Sequence, residues 1–445
     1  MAKDMTEGSL ARALVEFSIP LILSGVLQQL YSWADAFIVG NIEGGAALAA
    51  IGSTTSVIYL FTGAITGFTN GISILAAKYF GEGKNDVLRK LLSSFALSMG
   101  LLFLVPSAFG FCFVESILHI LDTPEDIHQM SGEYLRTVLT GIPFIAVYNV
   151  YAAVLRGCGD SKAPFYSVMV SSAANVVLDL LFVGVFQWSV AGAAAATAVS
   201  QIAMMIFMIG YTIKRYEVLR SGPGGKRIDR TVLTDGCAFS FPLTLNSVIS
   251  SLGSAALQSF MNSFGSTTVA AISTAYRVDS IIMLPVMNLG AGISTVTSQN
   301  LGAGRMERVK KGLYVGIGLM AAVAVCMTVF VINFGGLLLA LFGISEESVA
   351  IGQSFFRGLA MFYVLFGVSA AIRGYIQGIG EVKFTSFVGI SSLAVRIAMS
   401  YILKPFFGNM VIAYAEVISW WYMFIMYGGR LILHRMKAQK EQHVR

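Results

Sequence analysis

Phe17-Ser18-Ile19-Pro20-Leu21, early in the first long apolar stretch, returns as Phe239-Ser240-Phe241-Pro242-Leu243. The echo is not isolated. Gly71-Ile72-Ser73 recurs as Gly292-Ile293-Ser294, and Gly81-Glu82-Gly83-Lys84 as Gly302-Ala303-Gly304-Arg305. Arg136 recurs as Arg357, and Gly157-Cys158-Gly159-Asp160 as Gly378-Ile379-Gly380-Glu381. The first pair is offset by 222 residues and the others by 221, so two copies of one unit differ in register by a single residue. The 445-residue chain is a tandem duplication.

Composition says what the unit is. Hydrophobic residues make up 56% of the chain and charged residues 12%, with a mean hydropathy of +0.74. A water-soluble surface needs roughly a quarter of residues charged, so much of this one faces lipid. Twelve apolar segments can be marked off, from 14–38 to 408–432, with the eighth at 268–299. Each reaches the ~20 residues a helix needs to cross the hydrocarbon core, and lipid leaves the backbone no alternative to a helix. The predicted fold is an all-α polytopic membrane protein of twelve transmembrane helices. They form two pseudo-symmetric six-helix bundles, residues 1–213 and 233–445, joined by a linker at 214–232. Six is even, so both copies run the same way through the membrane, related by an axis along its normal. The start, Met1 to Leu10, carries charges of both signs and no small-residue cleavage pattern, so the first apolar run reads as a span.

Basic residues orient the bundle. On this topology 25 of the 30 Lys and Arg fall on one side, which the positive-inside rule makes cytoplasmic, with both termini there. The net charge of +6 then has a topological cause. The loop from Lys214 to Arg230 reads as an anchor between the copies rather than a nucleic-acid patch. Cys112, Cys158, Cys237 and Cys326 are too scattered for a disulfide framework or zinc site, and are expected to be buried thiols. The four histidines suggest no metal centre. Without a GxxxxGK[ST] motif the chain has no ATP motor, and no nucleophile cluster points to an enzyme.

Charges inside spans are costly and invite a functional reading. Asp35 lies ~34 Å along the first span from Arg12, and Asp179 about 25 Å beyond Lys162 in the fifth. Asn175 precedes Asp179 by one helical turn, and Thr197 sits at similar depth in the sixth span. Two neighbouring carboxylates out of water cannot both stay ionised and unpaired. An oxygen-only set also suits a hard cation such as sodium. The second copy lacks the set: Arg396 stands where Asn175 does, Ser400 for Asp179 and Leu257 for Asp35. On that reading only the first lobe keeps acid chemistry. Arg136, Arg277, Arg357 and Arg396 are expected to pair locally or snorkel; Glu416 has no assigned role. Gln28, Tyr31, Tyr148, Asn149, Gln201, Asn246 and Gln258 are candidates to line a substrate cleft. Pro20 prepares the first span to bend.

These residues together resemble the MATE (multidrug and toxic compound extrusion) transporters over essentially the whole chain. The resemblance rests on Ile19-Pro20, Tyr31-Ser-Trp-Ala-Asp35-Ala-Phe-Ile-Val-Gly40, Gly81-Glu-Gly83, Leu155-Arg156-Gly157-x-Gly159-Asp160, Asn175-x-x-x-Asp179 and Gly192-Ala-Ala-Ala-Ala-Thr197. It implies a V-shaped exporter that expels cationic or amphipathic drugs by proton or sodium antiport. The chain looks closer to the DinF-like branch, where residues matching Asp35, Asn175, Asp179 and Thr197 form the cation site, Tyr31 lies nearby and Pro20 lets the first helix bend. The acids of the NorM-like branch are absent: Ser250 and Phe366 stand in their places. No cofactor beyond a coupling Na+ or H+ is expected. The expected partners are small molecules and membrane lipid, with no nucleic acid, for a monomer in the cell membrane. A lipid-linked oligosaccharide flippase is the rival reading, and an integral-membrane enzyme the more distant one.

Overall fold

A computed structural model describes residues 4–220 and 228–443, side chains of 437–443 aside. Lys3, Lys226, Arg227, Arg445 and the middle of the 214–232 linker lie outside the described residues. Among the described residues every regular element is a helix. The first copy holds α1 (Leu10–Ile42), α2 (Gly45–Gly81), α3 (Asn85–Cys112), the short α4 (Val114–Ile120), α5 (Glu125–Gly157), α6 (Lys162–Asp179) and α7 (Ser189–Arg215). The second holds α8 (Arg230–Asn262), α9 (Ser266–Ile282), α10 (Leu284–Gly302), α11 (Met306–Ala340), α12 (Glu346–Ala360), α13 (Tyr363–Gly378), α14 (Val382–Phe407) and α15 (Val411–His443).

Nine runs among the described residues are long and apolar enough to cross a bilayer. The bent pairs α9–α10 (41°) and α12–α13 (51°) add two more. One of the nine, the 55-residue run Val382–Met436, is too long for one crossing and consists of α14 and α15 packed on each other. Twelve spans result. Large apolar side chains point outward along them, Phe37 and Val105 each 70% exposed, as a lipid-facing surface requires.

The duplication is written in the backbone. All but two of the described residues with left-handed φ, Gly8 and Ser189, fall in pairs 221 apart: Gly44 and Gly265, Gly83 and Gly304, Asp122 and Gly343, Gly159 and Gly380, Gln187 and Gly408. Each pair marks the same turn in the two copies, so the register of 221 holds from the turn after α1 to the turn before α7, and correspondingly in the second copy. The central helix repeats too. In the first copy α5 packs against α2, α3 and α7; in the second, α13, part of its counterpart, packs against α10, α11 and α15.

Packing divides the chain into two compact units, one comprising Asp4 and Pro20–Thr244, the other Met5–Ile19 and residues from Leu245 onward. Both division points fall in continuous helices at or near a proline, Pro20 in α1 and Pro242 in α8. Proline supplies no N–H to the preceding turn, and the Ser24 hydroxyl donates to the Pro20 carbonyl at 2.9 Å. The start of the chain is pinned to the second unit. The Met5 N–H donates to Gln299 Oε1, and Arg305 and Arg308 donate to the carbonyls of Thr6 and Gly8. Gly292 gives this segment room, since a Cβ there would come 3.0 Å from Ser18 Oγ.

The cysteines depart from expectation. Only Cys158 is buried; Cys112, Cys237 and Cys326 are exposed, and all four are free. In a membrane protein the apolar place for a thiol includes the lipid-facing surface, so burial does not follow from low polarity.

Candidate functional site

The first unit encloses a cavity of about 450 Å³ among α1, α2, α5, α6 and α7. Gln28, Tyr31, Ser32 and Asp35 recur on α1 at helical spacing and present one polar face to it. Tyr148 and Asn149 from α5, and Thr197 and Gln201 from α7, complete much of the polar lining. Five of the seven predicted cleft residues therefore meet here. Asn246 and Gln258 belong to the second unit and do not line this cavity.

Of the two acids, Asp35 lines the cavity, whereas Asp179 and Asn175 lie further along α6 than Ser171 and Ser172 and are not part of its lining. On α6, Ser167, Ser171, Asn175 and Asp179 form a row four residues apart, every one buried. The first two are satisfied: Ser167 Oγ donates to the Met204 carbonyl and Ser171 Oγ to that of Ser200, both at 3.1 Å. These bonds tie α6 to α7, whose Gly192–Ala196 run is small enough to admit it. The next two are not. Asn175 is 1% exposed and Asp179 fully buried, yet neither Asn175 side-chain atom nor either Asp179 oxygen has a hydrogen-bond partner among the described residues. Asp35 Oδ1 is likewise buried and unpartnered. Asp35 and Asp179 lie close enough for each to act on the other's charge.

That is an expensive arrangement. A buried polar atom without a partner costs ~1–3 kcal/mol, more when charged. Two buried carboxylates near each other need a shared proton or a cation between them. The donors present are oxygens and one amide, with no cluster of three or more His, Cys, Asp or Glu among the described residues. Such a set fits a proton or a small hard monovalent cation better than a transition metal. Immediately after Asp179 the helix widens into a π-helical segment, Leu180–Val185, a distortion that recurs at functional positions. Gly192 lets α7 approach that segment: a Cβ there would come 3.2 Å from Phe182. Tyr134 also lines the cavity, within electrostatic reach of both acids. Sequence reading missed it; its repeat partner, the buried Phe355, meets Tyr276 edge to face in the second copy.

The second unit, which has Leu257, Arg396 and Ser400 in place of Asp35, Asn175 and Asp179, buries two other acids, Asp279 and Glu416. Arg396 donates to Glu416 Oε2 at 2.9 Å and to the Tyr276 hydroxyl at 2.7 Å, and Tyr276 donates to Glu416 at 3.1 Å. Asp279 Oδ1 accepts from the Tyr363 hydroxyl at 2.6 Å. The expected local pairing holds for Arg396, and for Arg136, which meets Glu115 at 2.6 Å.

Comparison with known proteins agrees with this architecture. The MatE family model matches residues 20–181 and again 242–402, once in each copy. "Probable multidrug resistance protein YpnP" of Bacillus subtilis (strain 168) is 31% identical over 382 residues, covering 85% of each chain. "Probable multidrug resistance protein YoeA" of the same strain is 29% identical over 414 residues, 91% of this chain and 89% of that protein. Among solved structures, the outward-facing conformation of a multidrug resistance MATE family transporter of the MOP superfamily aligns with a TM-score of 0.90. It covers 98% of this chain and 99% of its own at 22% identity, a likeness of fold.

Proposed function

The chain belongs to the MatE family of membrane transporters, and on that premise we propose that it is a secondary antiporter exporting cationic or amphipathic small molecules. The coupling ion, H+ or Na+, is taken up between Asp35 and Asp179, with Asn175 and Thr197 supplying further oxygens. One observation supports this above the rest: two buried carboxylates near each other, one of them lining the cavity, with no basic partner among the described residues and several unpartnered oxygens. The relatives' names as multidrug resistance proteins support a small-molecule cargo, for which Gln28, Tyr31, Tyr148, Asn149 and Gln201 form the lining.

Coupling follows from differential binding. An ion shifts a conformational equilibrium only by the difference in its affinity for the two states. Neutralising the acids removes the repulsion between α1 and α6, and α1 is weakened at Pro20, where its packing passes from one unit to the other. In this reading the two copies are the lobes of an alternating-access transporter, with 214–232 linking them, both termini cytoplasmic and the protein a monomer in the cell membrane.

The test is export of an amphipathic cation from proteoliposomes with pH and sodium gradients imposed separately. One gradient should drive export and the other should not. Uptake or release indifferent to both gradients would remove the antiport reading while leaving the fold untouched.

A further inference from the structure

A second cavity, of about 700 Å³, lies on the other side of α5, in a crevice between α3 and α5 with Met205 of α7 at its floor. Its origin is a row of mostly small residues. Ala96, Gly100, Leu104, Ala108 and Cys112 follow one another every fourth position on α3. Opposite them Pro143 has no N–H to give the Leu139 carbonyl. The crevice is walled almost wholly by carbon; of the two hydroxyls in its lining, that of Thr140 donates to the Thr137 carbonyl and that of Ser107 is unmatched. Ser107 lines it, is 4% exposed, and its Oγ has no hydrogen-bond partner among the described residues.

The second copy satisfies the equivalent hydroxyl from within. The residue 221 positions on from Ser107 is Thr328, and its hydroxyl donates to the Ala360 carbonyl at 2.7 Å. Ala360 is in turn the counterpart of Leu139. There the helix pair satisfies its own hydroxyl. In the first copy the equivalent hydroxyl is buried with no partner among the described residues, and a buried hydroxyl calls for an acceptor.

Dimensions and charge indicate the occupant. From Ser107 inward to Ala96 the crevice runs eleven residues, ~16 Å at the helical rise. That is close to one leaflet, half of a ~30 Å hydrocarbon core. Toward the Cys112 end, Arg136 lies one turn from Thr140 on the crevice face of α5. Its guanidinium meets Glu115 through one nitrogen and is 37% exposed, leaving other N–H donors free to meet a phosphate.

We propose that this crevice is a binding site for one phospholipid of the leaflet at the Cys112 end of α3. One acyl chain fills the row from Leu104 to Ala96, an ester carbonyl accepts from Ser107 Oγ, and the headgroup phosphate meets Arg136.

Native mass spectrometry of the full chain, reconstituted with dioleoyl phosphatidylglycerol and then stripped with mild detergent, tests this. Wild type should retain one lipid per chain. Ala108→Phe, which fills the crevice, should weaken retention at least tenfold, and Ser107→Ala several-fold with little change in volume. Val329→Phe, the same change at the lipid-exposed counterpart in α11, should retain lipid as wild type does and controls for a general loss of folding. Arg136→Gln should reduce retention of phosphatidylglycerol more than that of dioleoylglycerol, which lacks the phosphate. Equal retention by wild type, Ala108→Phe and Ser107→Ala would overturn the site. Oleate or detergent competing as well as phospholipid would overturn the phospholipid assignment.

Discussion

The α6–α7 wall of the first unit and the α14–α15 wall of the second occupy the same place in the two copies, and they handle charge in opposite ways. Asn175 becomes Arg396 and Ala195 becomes Glu416; Thr55, which lines the cavity from α2, becomes Tyr276. The second copy thus places an arginine, a glutamate and a phenol where the first has an amide, a methyl group and a small hydroxyl. The larger groups satisfy one another within 3.1 Å. The first copy keeps a cavity and leaves its acids waiting. A charge network that closes on itself has nothing left to offer a ligand, whereas one lacking its counter-charge binds whatever supplies it. The difference arises from few side chains on a common backbone; under the proposed function it leaves ion binding to one copy and bracing to the other.

The largest effect should come from removing one waiting acid. Asp35→Asn or Asp179→Asn should reduce gradient-driven export in proteoliposomes to that of empty vesicles, with normal membrane insertion. Glu416→Gln, which removes an acid already satisfied by its neighbours, should leave most of the export rate. Reversed sensitivities would break the comparison. Asn175→Arg sharpens it by importing the second copy's solution. A guanidinium beside Asp179 should abolish export as fully as Asp35→Asn. The melting temperature of that variant should lose any dependence on sodium or mild acid shown by wild type, since ligand stabilisation requires a site the ligand can enter.

The converse change is smaller and appears in stability. Arg396→Ala leaves Glu416 buried without its cation, which should cost about 3–5 kcal/mol and lower the midpoint of thermal unfolding. Replacing both partners with apolar groups, Arg396→Met with Glu416→Leu, should recover most of that loss. Failure of the double variant to recover would mean that the network does more than satisfy itself.

Much of this contrast was legible in the chain. The offset of 221 exposed the duplication, and helical rise alone brought Asp35, Asn175, Asp179 and Thr197 to one depth. The Arg396–Glu416 pair was readable in principle, because the same offset maps them onto residues of adjacent helices. It was missed because Glu416 corresponds to Ala195, a position with no polar group to flag it. The bend before α10 also had its signal in Pro285, at the first turn of that helix. The contact between Asp279 and Tyr363 had none: 84 residues separate them, and no periodicity links them. Nor does composition announce a π-helical segment, which depends on how α6 and α7 pack beside Gly192.

The smallest expected effect concerns the paired turns at the ends of the same helices. Asp160 and Glu381 are repeat partners outside the spans, and again the copies differ in how they satisfy a carboxylate. Asp160 accepts from the backbone N–H groups of Lys162 and Ala163 and from the hydroxyls of Tyr211 and Tyr216, all neutral donors. Glu381 is gripped by both arms of Arg430 at 2.8 Å, with His434 at 3.0 Å. Those hydrogen bonds, the one from Arg430 foremost, hold the Glu381 carboxyl below its ordinary range. A depressed value in the folded state means the stabilisation is fully present above the unfolded pKa, ~4.3 for glutamate. It is lost as pH falls further, through the folded value. Glu381 is about a quarter exposed, so solvent screens the pair and the cost of Glu381→Gln should be no more than ~1 kcal/mol at neutral pH. Two readouts separate the partners. The penalty of Glu381→Gln should shrink in high salt and vanish in acid, because it depends on opposite charges. The penalty of Asp160→Asn should hardly respond to salt, because it depends on donors that carry no charge. Equal salt dependence at the two turns would show that the copies divide charge between them only within the membrane, and not along the whole of the α6–α7 and α14–α15 hairpins.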